Sequence, residues 1–286
     1  MRALALLCLL PAVALAEPFD ALQARVVEDL RAGRPLVVQV HVPLCDNDVL
    51  ACGNARLGDG DRPEGNLYWS TSEGVLGWLP RHGWKQALDA DGAAIGEPDV
   101  LDLRVWRRDL PTPAAWRRAG VGPTIRIYLV TQAWRGERIA RAFARWVDDL
   151  NGATHVSLRL SDGTLLAAGG DAQLVAWVGH NHLMDVERFD WAGAAARADG
   201  RPRGAIAIAC HTAAYMRNDV PGAPLLLTRD FLYANAAALE GAVLAFAAGG
   251  DYTAIRRGAA AGYAEGGKKP FARVLGAFTN PGDRRW

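Results

Sequence analysis

The chain has 286 residues, half of them apolar, and its 32 basic and 31 acidic side chains leave a formal charge of +1. That balance supplies an ample globular core and carries no charge run of the kind that binds nucleic acid or an anionic membrane surface. The ten tryptophans are scattered along the chain, which fits core and pocket lining rather than a membrane belt.

Met1 and Arg2 give a short basic start, residues 3–15 are almost wholly apolar, and Ala14-Leu15-Ala16 is a small-x-small cleavage site. The apolar stretch is shorter than the ~20 residues needed to span a bilayer. The reading is a cleaved signal peptide at 1–16, one domain from Glu17 to the end, and a periplasmic or secreted location. Cys8 leaves with the peptide. No later apolar stretch escapes interruption by charge, Gly or Pro, so no stable membrane insertion of the mature chain is expected.

Pro35 to Val42 is Val-rich and predicts a buried strand. From Pro43 to about Pro63 the chain is dense in Cys, Asp, Asn and Gly, and Asn66-Leu67-Tyr68-Trp69 leads into a short helix around Ser72 to Pro80. Irregular stretches of this length are usually functional or disordered, and the aromatics argue for an ordered one. Strands follow at Val100 to Trp106 and Thr124 to Thr131. A helix from about Gly136 to Leu150 puts Ile139, Ala142, Phe143, Trp146 and Val147 on one face. His155 to Leu160 and Leu165 to Ala167 bracket a Ser161-Asp162-Gly163 turn.

Two apolar strands then carry the chemistry. Leu174 to Val178 ends in Gly179-His180, and Ala205 to Ala209 ends in Cys210. Another strand, Ala223 to Leu227, precedes an Ala-rich helix from about Asp230 to Ala248, which Gly249-Gly250 closes. Strands alternating with helices, with near-continuous apolar runs, predict an α/β layered fold around a largely parallel sheet.

In an exported chain Cys45 and Cys52 are close enough in sequence to close a small disulfide loop, which leaves Cys210 odd. An odd cysteine is a partner for another molecule, a free thiol with a purpose, or a small buried hydrophobe. Ligand sites in open α/β sheets lie just beyond the carboxyl ends of the strands. His180 and Cys210 both sit there, and Cys45, Asp46 and Asn47 follow the first strand onto the same rim. A thiolate attacks a carbonyl, and an imidazole takes and returns the proton.

Leu174-Val175-Ala176-Trp177-Val178-Gly179-His180 and Ala205-Ile206-Ala207-Ile208-Ala209-Cys210 resemble the two blocks of the caspase, legumain, gingipain and separase clan of cysteine peptidases, in the same order and at a similar short spacing. The stretch from Cys210 to Met216 resembles the one after the legumain nucleophile. The resemblance implies a caspase-like three-layer α/β sandwich, His180 as acid/base, Cys210 as nucleophile, a peptide or protein substrate and no cofactor. It also implies an oxyanion hole from the amide of Gly179 or a neighbour together with that of Cys210. Asn47 is a loose counterpart of the residue that orients the histidine in legumains. Asn181 stands where the clan has glycine, and Ile208 where legumains carry an acidic residue, so that family's substrate pocket does not carry over. Asp185 either orients His180 or lines a substrate pocket.

Two other readings compete. His180, His182, Asp185 and His211, with Cys210, are ligand types that zinc accepts, though the spacing differs from the His-x-His-x-Asp-His pattern of metallo-β-lactamase-fold hydrolases. A binding module of the same fold without chemistry would use Cys45 to Trp84 as its contact surface. Ala168-Gly169-Gly170 reads as a turn, and His41 and His155, in predicted strands, read as structural.

Overall fold

The computed structural model describes residues 18–233 and 235–282, so the expected signal peptide at 1–16 lies outside the described residues. The elements are α1 (Pro18–Arg31), β1 (Leu36–Pro43), α2 (Val75–Trp78), β2 (Lys85–Ala90), β3 (Val100–Pro111), α3 (Ala114–Arg118) and β4 (Thr124–Trp134). They continue with α4 (Ile139–Asn151), β5 (Val156–Arg159), β6 (Leu165–Ala168), β7 (Leu174–Val178), α5 (Trp191–Ala195), β8 (Gly204–Ile208) and α6 (Thr212–Met216). The last are β9 (Ala223–Leu226), α7 (Ala236–Ala247), α8 (Tyr252–Gly266) and α9 (Phe271–Val274).

Every residue of β1 is buried, because both faces of this strand are covered. Leu36, Val38, Val40 and Val42 join a core with α1, α7 and α8, whereas Val37 joins a second core with α4 and the β5–β6 hairpin. The same alternation runs through β7 and β8: Ala176 and Ile206 face the first core, Trp177 and Ala207 the second. The result is an α/β three-layer sandwich. The helix stripe expected on α4 is the stripe that packs; Ala142, Phe143, Trp146 and Val147 are fully buried. Burying such a large apolar side chain stabilises by about 1.5–3 kcal/mol.

The seven-stranded sheet has the order β2-β3-β4-β1-β7-β8-β9. From β4 to β9 neighbouring strands are parallel, and β3 and β2 add an antiparallel edge. The chain passes from β1 to β4 on one side and returns to β7 on the other, so the order reverses between β1 and β7. Crevices at such reversals, at the carboxyl ends, are where open α/β sheets hold ligands.

Three departures from the sequence reading have local causes. The helix expected from Asp230 starts only at Ala236, because the Asn235 side chain caps it by accepting from Ala238 N. Edge strand β2 is half exposed and built of weak strand formers, so it carries no periodic signal. Helix α8 falls where no element was predicted; a Cβ on its Gly258 or Gly262 would come within 2.3 Å of Gly241 O or 2.0 Å of Ala237 O on α7. Glycine lets the two helices touch backbone to backbone.

The odd positions of β1 place Gln39 and His41 under α4. His41 is fully buried; its Nδ1 accepts from Trp134 Nε1 (3.1 Å) and its Nε2 donates to Asp149 Oδ2 (2.9 Å). Asp149 also accepts from Arg145 Nε (3.2 Å) and from Thr154 Oγ1. His41 is thus a satisfied structural histidine, as read. His155 lies just before β5, exposed and paired with Asp171.

Burial lowers the pKa of His41, and Asp149 raises it only in part. Burial lowers that of His182 as well, against the pull of Asp185 and with help from His180. Both rings stay neutral in the fold below the ordinary value near 6.5, where the unfolded chain takes up protons. Their contribution to stability is therefore complete above about pH 6.5 and lost as pH falls below it. We expect the melting temperature to drop between pH 7 and pH 5, with a slope of up to about 1.4 kcal/mol per pH unit for each ring. A flat melting curve over that window would contradict the assignment.

Candidate active site

Parallel pairing of β7 with β8 runs from Leu174 opposite Gly204 to Val178 opposite Ile208. The ladder continues past the strand ends through Gly179 N donating to Ile208 O (3.2 Å). Past these paired ends the chain runs into His180 after β7 and into Cys210 after β8, so both residues leave the same, carboxyl edge of neighbouring parallel strands. Pro43, which ends β1, closes the other side. A Cβ on Gly179 would lie 2.8 Å from Pro43 Cγ, so only glycine fits where β1 and β7 part.

The two loops are bound by Asn181. Its Nδ2 donates to Cys210 O (2.7 Å) and its Oδ1 accepts from Leu183 N (3.2 Å), with the residue almost wholly buried. The Asn181 amide is a clamp between the histidine loop and the thiol loop. Asn181→Ala leaves buried partners unpaired and is expected to cost about 1–3 kcal/mol. Hydrogen exchange is the measurement: faster exchange in both 180–185 and 209–213 supports the clamp, and unchanged exchange in either segment counts against it.

His180 is 13% exposed and its Nε2 lies 2.6 Å from Asp185 Oδ2. An ionised carboxylate only accepts, so Nε2 carries the hydrogen and Nδ1 is left as the basic nitrogen. Asn47 is not the orienting partner. Its Oδ1 accepts from Cys52 N (3.0 Å) and its Nδ2 donates to Asn54 O (3.3 Å), inside the loop that the Cys45–Cys52 disulfide closes. Nor is the Gly179 amide open to a substrate oxygen, because Ile208 O already takes it. The Cys210 amide donates to none of the described carbonyls.

Cys210 is the free cysteine among the described residues, and it is half-buried. Its thiol donates to Leu232 O (3.5 Å) rather than to His180. Just after it, His211 adopts a left-handed conformation with φ 52° and opens α6. That sharp strand–turn–helix is locked from below: Thr212 N donates to Thr228 Oγ1 (3.2 Å), Thr228 N to Thr212 Oγ1 (2.8 Å), and Thr228 Oγ1 to Ala209 O. Strained turns of this kind present a nucleophile at the top of a sheet.

The aromatics of the Asn66-Leu67-Tyr68-Trp69 segment, a possible contact surface in the sequence reading, are buried. Tyr68 is buried, with its ring centroid 6.3 Å from that of Tyr233, the residue after Leu232. Burial raises the pKa of the Tyr68 phenol, and Cys210 and Tyr233 add to the rise. Asn66 holds this segment in place: its Oδ1 accepts from Cys45 N and from Tyr68 N, both at 3.1 Å. The Asn-Leu-Tyr-Trp segment was the signal; its destination was not legible.

The possible zinc ligands do not converge. The His182 ring packs 5.7 Å from that of Phe143, and His211 Nδ1 bonds Arg229 O (2.9 Å). Among the described residues no three His, Cys, Asp or Glu side chains are grouped to hold a metal ion.

A concavity of about 490 Å³ lined by Asp29, Arg34, Gln173 and Arg201 lies at the amino edge of the sheet, opposite Cys210. Its polar groups are engaged in structural contacts: Asp29 holds Arg34 (2.6 Å) and Gln173 (2.6 Å).

Fold and rim together define an α/β three-layer protein with a free thiol and a carboxylate-oriented histidine at the ends of adjacent parallel strands. Comparison with family models, with curated proteins and with solved structures finds no match to this chain. Among the described residues no helix is long and apolar enough to cross a membrane, and Cys45–Cys52 is a disulfide.

Proposed function

We propose that this chain is an exported, caspase-like cysteine peptidase in which Cys210 is the nucleophile, His180 the acid/base and Asp185 the group that orients His180. The observation that supports the reading is the parallel pairing of β7 with β8, whose carboxyl ends lead into His180 and into the unpaired Cys210 beside the point where strand order reverses. The disulfide supports the export reading.

In the acylation step the thiol leaves Leu232 O and passes its proton to His180 Nδ1. The sulfur then attacks the scissile carbonyl carbon. Catalytic hydrogen bonds commonly tighten only when substrate is in place. The carbonyl oxygen becomes an oxyanion, for which the Cys210 amide is the available backbone donor. Collapse breaks the C–N bond, and the amine leaves with the proton from His180. A water, deprotonated by His180, hydrolyses the thioester and restores the thiol.

The test is hydrolysis of a mixed peptide library by the purified protein, followed by mass spectrometry. Iodoacetamide should stop cleavage while labelling Cys210, and a chelator should leave it unchanged. Loss of cleavage to the chelator, or full cleavage after complete Cys210 labelling, would overturn the proposal.

A further inference from the structure

We propose that Phe231 forms an apolar subsite on the rim that carries Cys210, and that it selects peptide segments with a large apolar side chain next to the scissile bond. The inference deepens the peptidase reading and rests on it. Among the described residues the large apolar side chains left exposed are Val49, Leu165, Tyr215 and Phe231, and Phe231, at 71%, is the most open of them. A lone exposed ring needs no explanation by itself. What sets Phe231 apart is where it is held.

The segment from Arg229 to Leu232 is bound to the thiol turn at successive residues. Cys210 Sγ donates to Leu232 O (3.5 Å) and His211 N donates to Asp230 O (3.1 Å), so the backbone of Phe231 is bracketed by two carbonyls tied to residues 210 and 211. His211 Nδ1 donates to Arg229 O (2.9 Å), and Phe231 N donates to Asp230 Oδ1 (2.8 Å). These bonds fix the loop to the thiol turn whatever the ring does.

The ring is fixed as well. It meets the ring of His211, the residue next to Cys210, edge to face, with centroids 4.4 Å apart and planes at 84°. Aromatic pairs favour this geometry. His211 thus props one side of the phenyl ring and leaves most of it in water. Covering that surface with an apolar side chain is favourable, whereas a charged side chain would lose hydration there and gain no partner from the ring edge. A peptide lying along the rim to reach the sulfur is the occupant that this placement fits.

The experiment compares the rates at which iodoacetamide and its N-benzyl derivative alkylate Cys210, read by mass spectrometry on the peptide carrying Cys210, with glutathione as the reference for intrinsic reactivity. In wild type the ratio of the N-benzyl rate to the parent rate should exceed the glutathione ratio about tenfold, the size of one apolar contact. Phe231→Ala should bring the ratio down to that of glutathione. Phe231→Leu, which keeps an apolar side chain, should retain most of the preference. A loop that merely loosens changes both rates together and leaves their ratio. With a mixed peptide library, wild type should cut beside Phe, Tyr, Leu or Met, and Phe231→Ala should lose that preference. A wild-type ratio equal to that of glutathione, an unchanged ratio in Phe231→Ala, or cuts that favour charged side chains on both sides of the bond overturns the subsite. Cleavage without a raised ratio overturns this inference alone. A raised ratio that Phe231→Ala abolishes, in a protein that cuts no peptide, supports the subsite and overturns the peptidase reading.

Discussion

Cys210→Ala and His180→Ala are each expected to lower peptide hydrolysis by about 10³-fold or more, because the thiolate and its base act as one unit. For the same reason the double variant should be no worse than either single one, within experimental error. Groups that act in sequence on one proton show this non-additivity, whereas independent contributions multiply. Asp185→Asn should be milder, on the order of 10–100-fold. It keeps an acceptor near His180 Nε2 (2.6 Å) but removes the charge that favours the imidazolium, from a side chain 41% exposed. Steady-state kcat/KM of the four variants, with circular dichroism to verify folding, is the measurement. Wild-type activity in Cys210→Ala, or losses that multiply in the double variant, would dismiss the dyad.

Asp149→Ala is expected to be the most damaging substitution for stability among those considered. It removes the acceptor shared by His41 Nε2 (2.9 Å), Arg145 Nε (3.2 Å) and Thr154 Oγ1 in a place nearly closed to water. Removing one partner of a buried charged network costs about 3–5 kcal/mol, which for a chain of this size lowers the melting temperature by roughly 6–20 °C. Asp149→Asn should lose less, since its amide oxygen still accepts. A melting temperature within a degree or two of wild type would show that the network contributes little.

Most of the elements that frame the site were legible from the chain itself. The Val-rich run of β1 and the apolar runs of β7 and β8 announced buried strands, and the α4 stripe announced which side of that helix would be buried. Both are local signals, set by side-chain period over a few residues. The odd thiol followed from counting cysteines. What failed was partnership. Asn47 was placed near His180 because both follow strands, but its amide is consumed seven residues away, at Asn54, inside the disulfide loop. Asp185 holds His180 instead, one of the two roles offered for it from sequence, through a tight turn after β7.

By itself the sequence determined the strands that end in His180 and Cys210, the order in which they occur and the cysteine left without a partner. Their side-by-side pairing, the Gly179 amide taken up by Ile208 and the Asn181 clamp were decided only by the tertiary structure. The physical reason is that periodicity and turn chemistry fix how a segment folds against an unspecified neighbour, whereas strand order and register depend on pairing and packing between remote segments.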